Sequence, residues 1–112
     1  MEFLKIEITG LSARDIFTIT SIFNKYTSIK EVRLFGSRAN GSFKKGSDID
    51  LAVMNNDISE QDIIKIRNEF EESDIPFFVD FINYNSLPES ELKEHIKKAG
   101  VLFYKIEFEE EQ

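Results

Sequence analysis

The chain has no cysteine and a single histidine, His95. Without cysteine there can be no disulfide and no zinc site built on thiolates, and one histidine argues against both a histidine-based metal site and a serine triad. His95 falls at helical spacing with Leu92 and Ile96, so we expect an exposed or half-buried helix residue rather than a catalyst. Any catalysis must therefore rest on carboxylates.

Long apolar runs are also absent. No stretch approaches the ~20 residues that cross a bilayer, and no charged-then-apolar signal segment opens the chain. We therefore expect a soluble, cytoplasmic protein with no membrane partner.

Positive charge is in short supply, with 14 basic against 21 acidic residues and a formal net charge of -7. Because a protein that follows a nucleic-acid backbone needs a basic surface, no direct nucleic-acid partner is expected. An acidic surface suits binding of a small nucleotide through metal, or docking on a basic protein, although most such surfaces only keep a protein in solution.

Apolar residues are abundant: they make up 41% of 112 residues, and 11 of them are phenylalanine. This predicts one folded domain over residues 1–112, with no room for a second. Alternating apolar and charged residues at 3–8 predict an extra N-terminal strand within residues 1–10, which serves as an edge strand or an oligomer contact. Residues 109–112 are predicted to be an acidic tail.

The rest of the chain alternates between strand and helix patterns. Helices are predicted after three serine N-caps, Ser12, Ser59 and Ser90, and a short one begins at Ser37. Strands are predicted at residues 31–35, 48–54, 77–82 and 101–108. This order predicts an α/β or α+β sheet with helices packed on it.

Three aspartates fall on two of these strands. Side chains two residues apart on a strand share a face, so Asp48 and Asp50 are presented together, and Asp80 interrupts an otherwise apolar strand. Carboxylates ~4 Å apart repel by roughly 4 kcal/mol at an effective dielectric of about 20, so three at one spot would have raised pKa values or bind a cation. Oxygen ligands favour Mg²⁺ or Mn²⁺.

The glycine-serine pair upstream bears on how the aspartates are interpreted. An Asp-x-Asp pair alone is more often a pair of surface or capping residues, since aspartate is mostly exposed. Gly36 follows a predicted strand directly, so the backbone there can approach a ligand closely, while N–H groups and the Ser37 hydroxyl can face a phosphate. An ordinary strand-to-helix turn with a serine cap remains the alternative for these two residues alone.

The whole segment, "LFGSRANGSFKKGSDIDLAV", resembles the signature of the polymerase-β-type nucleotidyltransferase superfamily, in which Gly-Ser, ten residues and Asp-x-Asp are followed by a third acid on a later strand. Residues 38–47 are the ten, and Asp80 is the third acid. Within the superfamily the chain is similar to the minimal nucleotidyltransferases (MNT), small domains usually encoded beside a helical HEPN protein. The resemblance extends over roughly residues 12–104 and implies a mixed β-sheet flanked by helices.

The resemblance also implies a reaction, the transfer of a nucleoside monophosphate from a nucleoside triphosphate to an acceptor hydroxyl. The triphosphate expected from the resemblance is ATP. Gly36 and Ser37 would hold the β- and γ-phosphates, and Arg38 would reach a phosphate. Lys44 or Lys45 would do the same, unless all three basic residues belong to a solvated basic loop.

The aspartates take the catalytic roles in this resemblance. Asp48 and Asp50 would ligate two Mg²⁺ or Mn²⁺ ions, and Asp80 would complete the second ion site and help to deprotonate the acceptor. We expect the three carboxylates to converge on the side that faces Ser37.

Three functions follow as hypotheses. The first is an antitoxin that adenylylates a HEPN-family ribonuclease toxin. The second is an antitoxin that neutralises the same partner by docking alone, with a vestigial nucleotide site. The third is transfer to a small molecule such as an aminoglycoside, for which the chain lacks the additional domain of larger relatives unless a homo-oligomer builds the pocket.

Overall fold

The structure is a computed structural model and describes residues 6–106. A four-stranded sheet forms its centre, with strands β1 (Glu31–Phe35), β2 (Ile49–Val53), β3 (Val79–Asn83) and β4 (Val101–Lys105). The helices are α1 (Ile6–Thr9), α2 (Ala13–Asn24), α3 (Ser37–Asn40), α4 (Glu60–Glu72) and α5 (Glu91–Ala99), with a 3₁₀ turn at Tyr84–Ser86.

The sheet is mixed, with the strand order β3-β2-β1-β4. β1 is antiparallel to both β2 and β4, whereas β2 and β3 are parallel. Parallel neighbours need a crossover, and α4 supplies it between β2 and β3. The predicted mixed sheet flanked by helices is confirmed.

One face of the sheet carries the main core, against α2 and α4. Alternate strand residues such as Leu34, Leu51 and Phe81 contact apolar side chains of the two helices, among them Phe23 and Phe70. α5 lies on the other face, where Ile96 packs with Phe35 and Ala52 in a smaller cluster. Asp50 and Asp80 alternate with main-core residues and therefore project on the α5 face.

The predicted serine caps are confirmed because each is a local interaction. The Ser12 hydroxyl accepts a hydrogen bond from the Asp15 amide at 3.0 Å, and the Asp15 carboxylate accepts one from the Ser12 amide at 3.1 Å. Ser59 and Ser90 cap α4 and α5 in the same way, each with one such bond.

The predicted N-terminal strand is wrong where it can be checked. Ile6–Thr9 form a short helix, α1, which lies against α3, and residues 1–5 fall outside the described part. The alternation of residues 3–8 is too short to distinguish a strand from a helical turn that has a tertiary partner. The acidic tail and the end of the last predicted strand also fall outside residues 6–106.

Two strand boundaries differ from the prediction by amounts that affect the site. β2 begins at Ile49, so Asp48 is the residue before the strand, and β3 begins at Val79 rather than at residue 77. None of the helices within residues 6–106 is long and apolar enough to cross a membrane.

Candidate active site

The turn that connects β1 to α3 is built around Gly36. Its backbone angles, φ 77° and ψ -158°, belong to a region that only glycine adopts readily. A Cβ atom at this position would also collide with the carboxylate of Asp50. Gly36 is thus required both for the turn and for the close approach of backbone and carboxylate.

Asp50 and Asp80 lie side by side. They are register partners in the parallel pair of β2 and β3, so their side chains project from the same face of the sheet. Phe35 is the partner of Asp50 on the opposite side, in β1, and Gly36 follows it directly. The register therefore brings the glycine turn and two of the three predicted acids together.

The carboxylate of Asp50 is in an environment that disfavours its charge. Burial raises its pKa above the usual value, and the negative charges of Asp80 and Asp48 raise it further. A cation at this edge of β2 and β3 would relieve both effects. The donor chemistry therefore fits a hard divalent ion, since both Asp50 and Asp80 offer carboxylate oxygens.

The expected convergence of all three carboxylates is not found. Within residues 6–106 no group of three acidic, histidine or cysteine side chains is arranged to hold a metal ion. Asp48 is exposed on the loop before β2 instead of held within the strand. Asp48 acts on Asp50 through its charge, and its place in a metal site stays a prediction.

The prediction that Arg38 contacts a phosphate is wrong. Arg38 is buried, with 1% of its surface exposed. Its guanidinium donates hydrogen bonds to two backbone carbonyls, those of Thr9 and Ser47, and lies over the rings of Phe43 and Phe77. The sequence gives no local signal for these four neighbours, because they come together only in the tertiary structure.

The loop between α3 and β2 is a defined turn. The Ser47 amide donates to the Lys44 carbonyl at 2.9 Å, and the Lys44 amide donates to the Ser47 hydroxyl at 2.8 Å. Both lysines of the loop are exposed, so they are free of the core, and a phosphate contact by Lys44 or Lys45 stays a prediction. His95 is exposed on α5, as expected.

Comparison with known proteins gives the family. The family model described as "Polymerase beta, Nucleotidyltransferase" matches residues 18–109, which contain the glycine turn and all three aspartates. The chain belongs to the polymerase-β nucleotidyltransferase family. The resemblance of the Gly-Ser and Asp-x-Asp segment to this family is thereby confirmed.

Relatives of this nucleotidyltransferase include MNT proteins. It is 30% identical over 95 residues to the "Probable protein adenylyltransferase MntA" of Haemophilus influenzae, a match that covers 82% of this chain and 81% of that protein. This is the MNT branch that the sequence pattern indicated.

Solved structures share its fold. One is a crystal structure of a toxin-antitoxin with AMP-PNP, with a TM-score of 0.66, 19% identity, and coverage of 81% of this chain and 73% of that chain. Another is a tri-AMPylated Shewanella oneidensis HEPN toxin in complex with an MNT antitoxin, with a TM-score of 0.60, 17% identity, and coverage of 83% and 71%.

Proposed function

We propose that this nucleotidyltransferase transfers AMP from ATP to a hydroxyl group of a HEPN-family toxin and thereby acts as its antitoxin. The observation that carries the proposal is the pairing of Asp50 with Asp80 beside the Gly36 turn. The choice of AMP and of a protein acceptor rests on the similarity to MntA. The nucleotidyltransferase, ATP and the toxin would meet in the cytoplasm.

The reaction is a displacement at the α-phosphorus of ATP. The acceptor oxygen forms a bond to this phosphorus, the bond to the bridging oxygen of the β-phosphate breaks, and pyrophosphate leaves. Asp80 takes the proton of the acceptor hydroxyl, while the turn at Gly36 and Ser37 holds the β- and γ-phosphates. The protein's contribution is mainly to position the reactants and to neutralise charge.

Asp48, Asp50 and Asp80 are the residues that would hold Mg²⁺ or Mn²⁺. When bound, such ions neutralise the charge that develops on the attacking and leaving oxygens. The raised pKa of Asp50 supports this assignment, because a carboxylate surrounded by negative charge is stabilised as an anion when a cation is near.

The proposal is tested by incubating the purified chain with Mg²⁺, α-labelled ATP and the product of the neighbouring gene, which we expect to be a HEPN-family protein. Label should move to the partner with the wild-type chain. The double variant Asp48→Asn/Asp50→Asn should transfer at least about a hundredfold less, the loss typical of groups that stabilise transition-state charge. Asp74→Asn is a matched control, because Asp74 is an exposed aspartate that pairs with Arg14.

Other outcomes would identify the competing functions. If no label moves, and both the wild type and the double variant bind and silence the partner, the protein is an antitoxin that acts by docking. If labelled product appears only with an aminoglycoside as acceptor, the chain is a small-molecule nucleotidyltransferase.

A further inference from the structure

Arg38 is a buried charge to which the proposed function assigns no role. Among the residues that the structure describes, it is the only charged side chain that is buried. A buried guanidinium is costly unless its donors are satisfied and its charge is compensated. Its partners therefore indicate why the chain keeps an arginine at this position.

The guanidinium of Arg38 connects parts of the chain that are distant in sequence. Its Nε and Nη2 atoms donate to the Ser47 carbonyl at 3.1 and 2.9 Å, and Nη1 donates to the Thr9 carbonyl at 2.8 Å. The Cζ atom lies 4.2 Å from the centroid of the Phe77 ring and 4.9 Å from that of Phe43. Both distances are within the range of cation–π contacts.

Two of these partners, Ser47 and Phe77, lie in segments that carry a residue of the site. The Ser47 carbonyl belongs to the same peptide group as the Asp48 amide, so two hydrogen bonds from one guanidinium fix the orientation of that peptide. Phe77 is three residues before Asp80, and Arg38 itself follows the Gly36 turn on α3. The guanidinium therefore lies where the three segments that carry the site come together.

The surroundings of Arg38 are tightly packed, and two nearby carboxylates offset part of the cost of burying its charge. A Cβ atom at Gly10 would collide with the Phe43 ring. Burial lowers the pKa of the guanidinium, whereas the negative charges of Asp15 and Asp48 act in the opposite direction. Asp48 thus has a fixed positive charge nearby as well as a fixed backbone.

We propose that Arg38 is a positioning residue, which holds the peptide of Asp48 so that this exposed carboxylate can join Asp50 and Asp80 around a divalent cation. The inference rests on the proposed function for its catalytic consequence. It concerns a residue that touches neither the nucleotide nor the ion, and its effect is exerted through the Ser47 carbonyl.

The test uses three variants of the full chain. Arg38→Met removes the charge and all the hydrogen bonds, and Arg38→Lys keeps the charge but cannot bridge both carbonyls. Ile66→Ala is the matched control, because Ile66 is fully buried on α4 in the main core and should lower stability without touching the Arg38 contacts. All three are compared with the wild type well below the lowest Tm.

The readouts are Mn²⁺ affinity, measured without nucleotide, and the Mg²⁺ dependence of transfer. Arg38→Met should weaken Mn²⁺ binding by about 10–100-fold, the usual effect of losing a group that orients a metal ligand. The Mn²⁺ affinity of Arg38→Lys should lie between those of Arg38→Met and the wild type. Ile66→Ala should bind Mn²⁺ as tightly as the wild type under conditions where both are fully folded. Hydrogen exchange at the Asp48 amide should accelerate in the Arg38 variants.

The possible failures are distinguishable. If Ile66→Ala and Arg38→Met have the same Mn²⁺ affinity, Arg38 only stabilises the fold and the inference is overturned. The inference is also overturned if neither Arg38 variant folds. If the wild type binds Mn²⁺ in an Arg38-dependent way but transfers no label, the proposed function fails and the positioning role stands. A wild type that binds no Mn²⁺ overturns the positioning role, while transfer of label still decides the proposed function.

Discussion

Gly36 is constrained both by its backbone conformation and by its contact with Asp50, and comparison with a second glycine separates the two effects. Its positive φ of 77° strains any other residue, and a Cβ atom would in addition displace the carboxylate of Asp50. Gly46 also has a positive φ, 83°, but a Cβ atom there would meet nothing within 4 Å. The two glycines therefore share the backbone constraint and differ in the contact with the site.

We expect Gly36→Ala to abolish most of the transfer activity. Both Gly36→Ala and Gly46→Ala should lower the free energy of unfolding by about 1–3 kcal/mol through backbone strain. Only Gly36→Ala should also lower kcat by about a hundredfold, since small displacements of catalytic groups are that costly. Denaturant unfolding and initial rates measure the two effects, and equal kcat values for the two variants would contradict this account.

Single residues also mark the limit of prediction from sequence. Gly36 and the place of Asp50 on a strand were predictable, because a tight turn and a strand have local signatures. The burial of Arg38 was not, because its carbonyl partner Thr9 is 29 positions away along the chain. The basic residue after "Gly-Ser" looks the same in sequence whether it points to a phosphate or into the protein.

At the scale of elements, a short polar network joins the end of α2 to α4. The Tyr26 hydroxyl donates to Glu69 at 2.6 Å, and the Lys25 ammonium donates to the other carboxylate oxygen at 2.7 Å. The hydrogen bond to Glu69, and then burial, raises the pKa of Tyr26 to about 12. The same carboxylate has a lowered pKa, first because of Lys25 and then because of Tyr26.

This network predicts how stability depends on alkaline pH. Because the folded pKa of Tyr26 is above its ordinary value of 10.0, its contribution to stability is complete below about pH 10 and is lost as pH rises to about 12. Glu69→Gln should lower the pKa of Tyr26 towards 10.0, read from tyrosinate absorbance. Glu71→Gln changes an exposed residue of the same helix and should leave the pKa of Tyr26 unchanged. If the wild type and Glu69→Gln titrate identically, Glu69 does not raise the pKa of Tyr26.

Elements were predicted best where their signals lie within a few residues. The capped helices and β1 match because a serine hydroxyl or a following glycine defines their ends. The N-terminal strand fails because α1 owes its conformation to its contact with α3, which residues 3–8 do not reveal. Strand β3 starts late because Phe77 turns towards Arg38 instead of continuing the ladder.

For the whole molecule, the main core depends on a cluster of aromatic rings. Phe23 of α2 is fully buried, and its ring centroid lies 5.8 Å from Phe70, 5.6 Å from Phe81 and 5.2 Å from Tyr104. These partners belong to α4, β3 and β4. One side chain therefore connects the helical layer to both outer strands of the sheet.

Phe23→Ala should destabilise the whole chain. We expect a loss of about 3–5 kcal/mol, typical of a buried phenylalanine, against a total stability of about 5–15 kcal/mol. Phe17→Ala is the control on the same helix, because Phe17 is 71% exposed, and it should change stability by less than about 0.5 kcal/mol. Chemical denaturation measures both, and similar losses for the two variants would show that the aromatic cluster is not the core.

The order of strands in the sheet has a consequence for the time at which the sheet is completed. β1 lies inside the sheet, and its outer neighbour is β4, so Glu31 pairs with Lys105. β2 and β3, which carry Asp50 and Asp80, precede β4 in the chain. Contacts between residues so far apart in sequence form slowly. A ribosome must therefore synthesise the chain through β4 before the sheet is complete, and we expect assembly of β1 between β2 and β4 to wait for that strand.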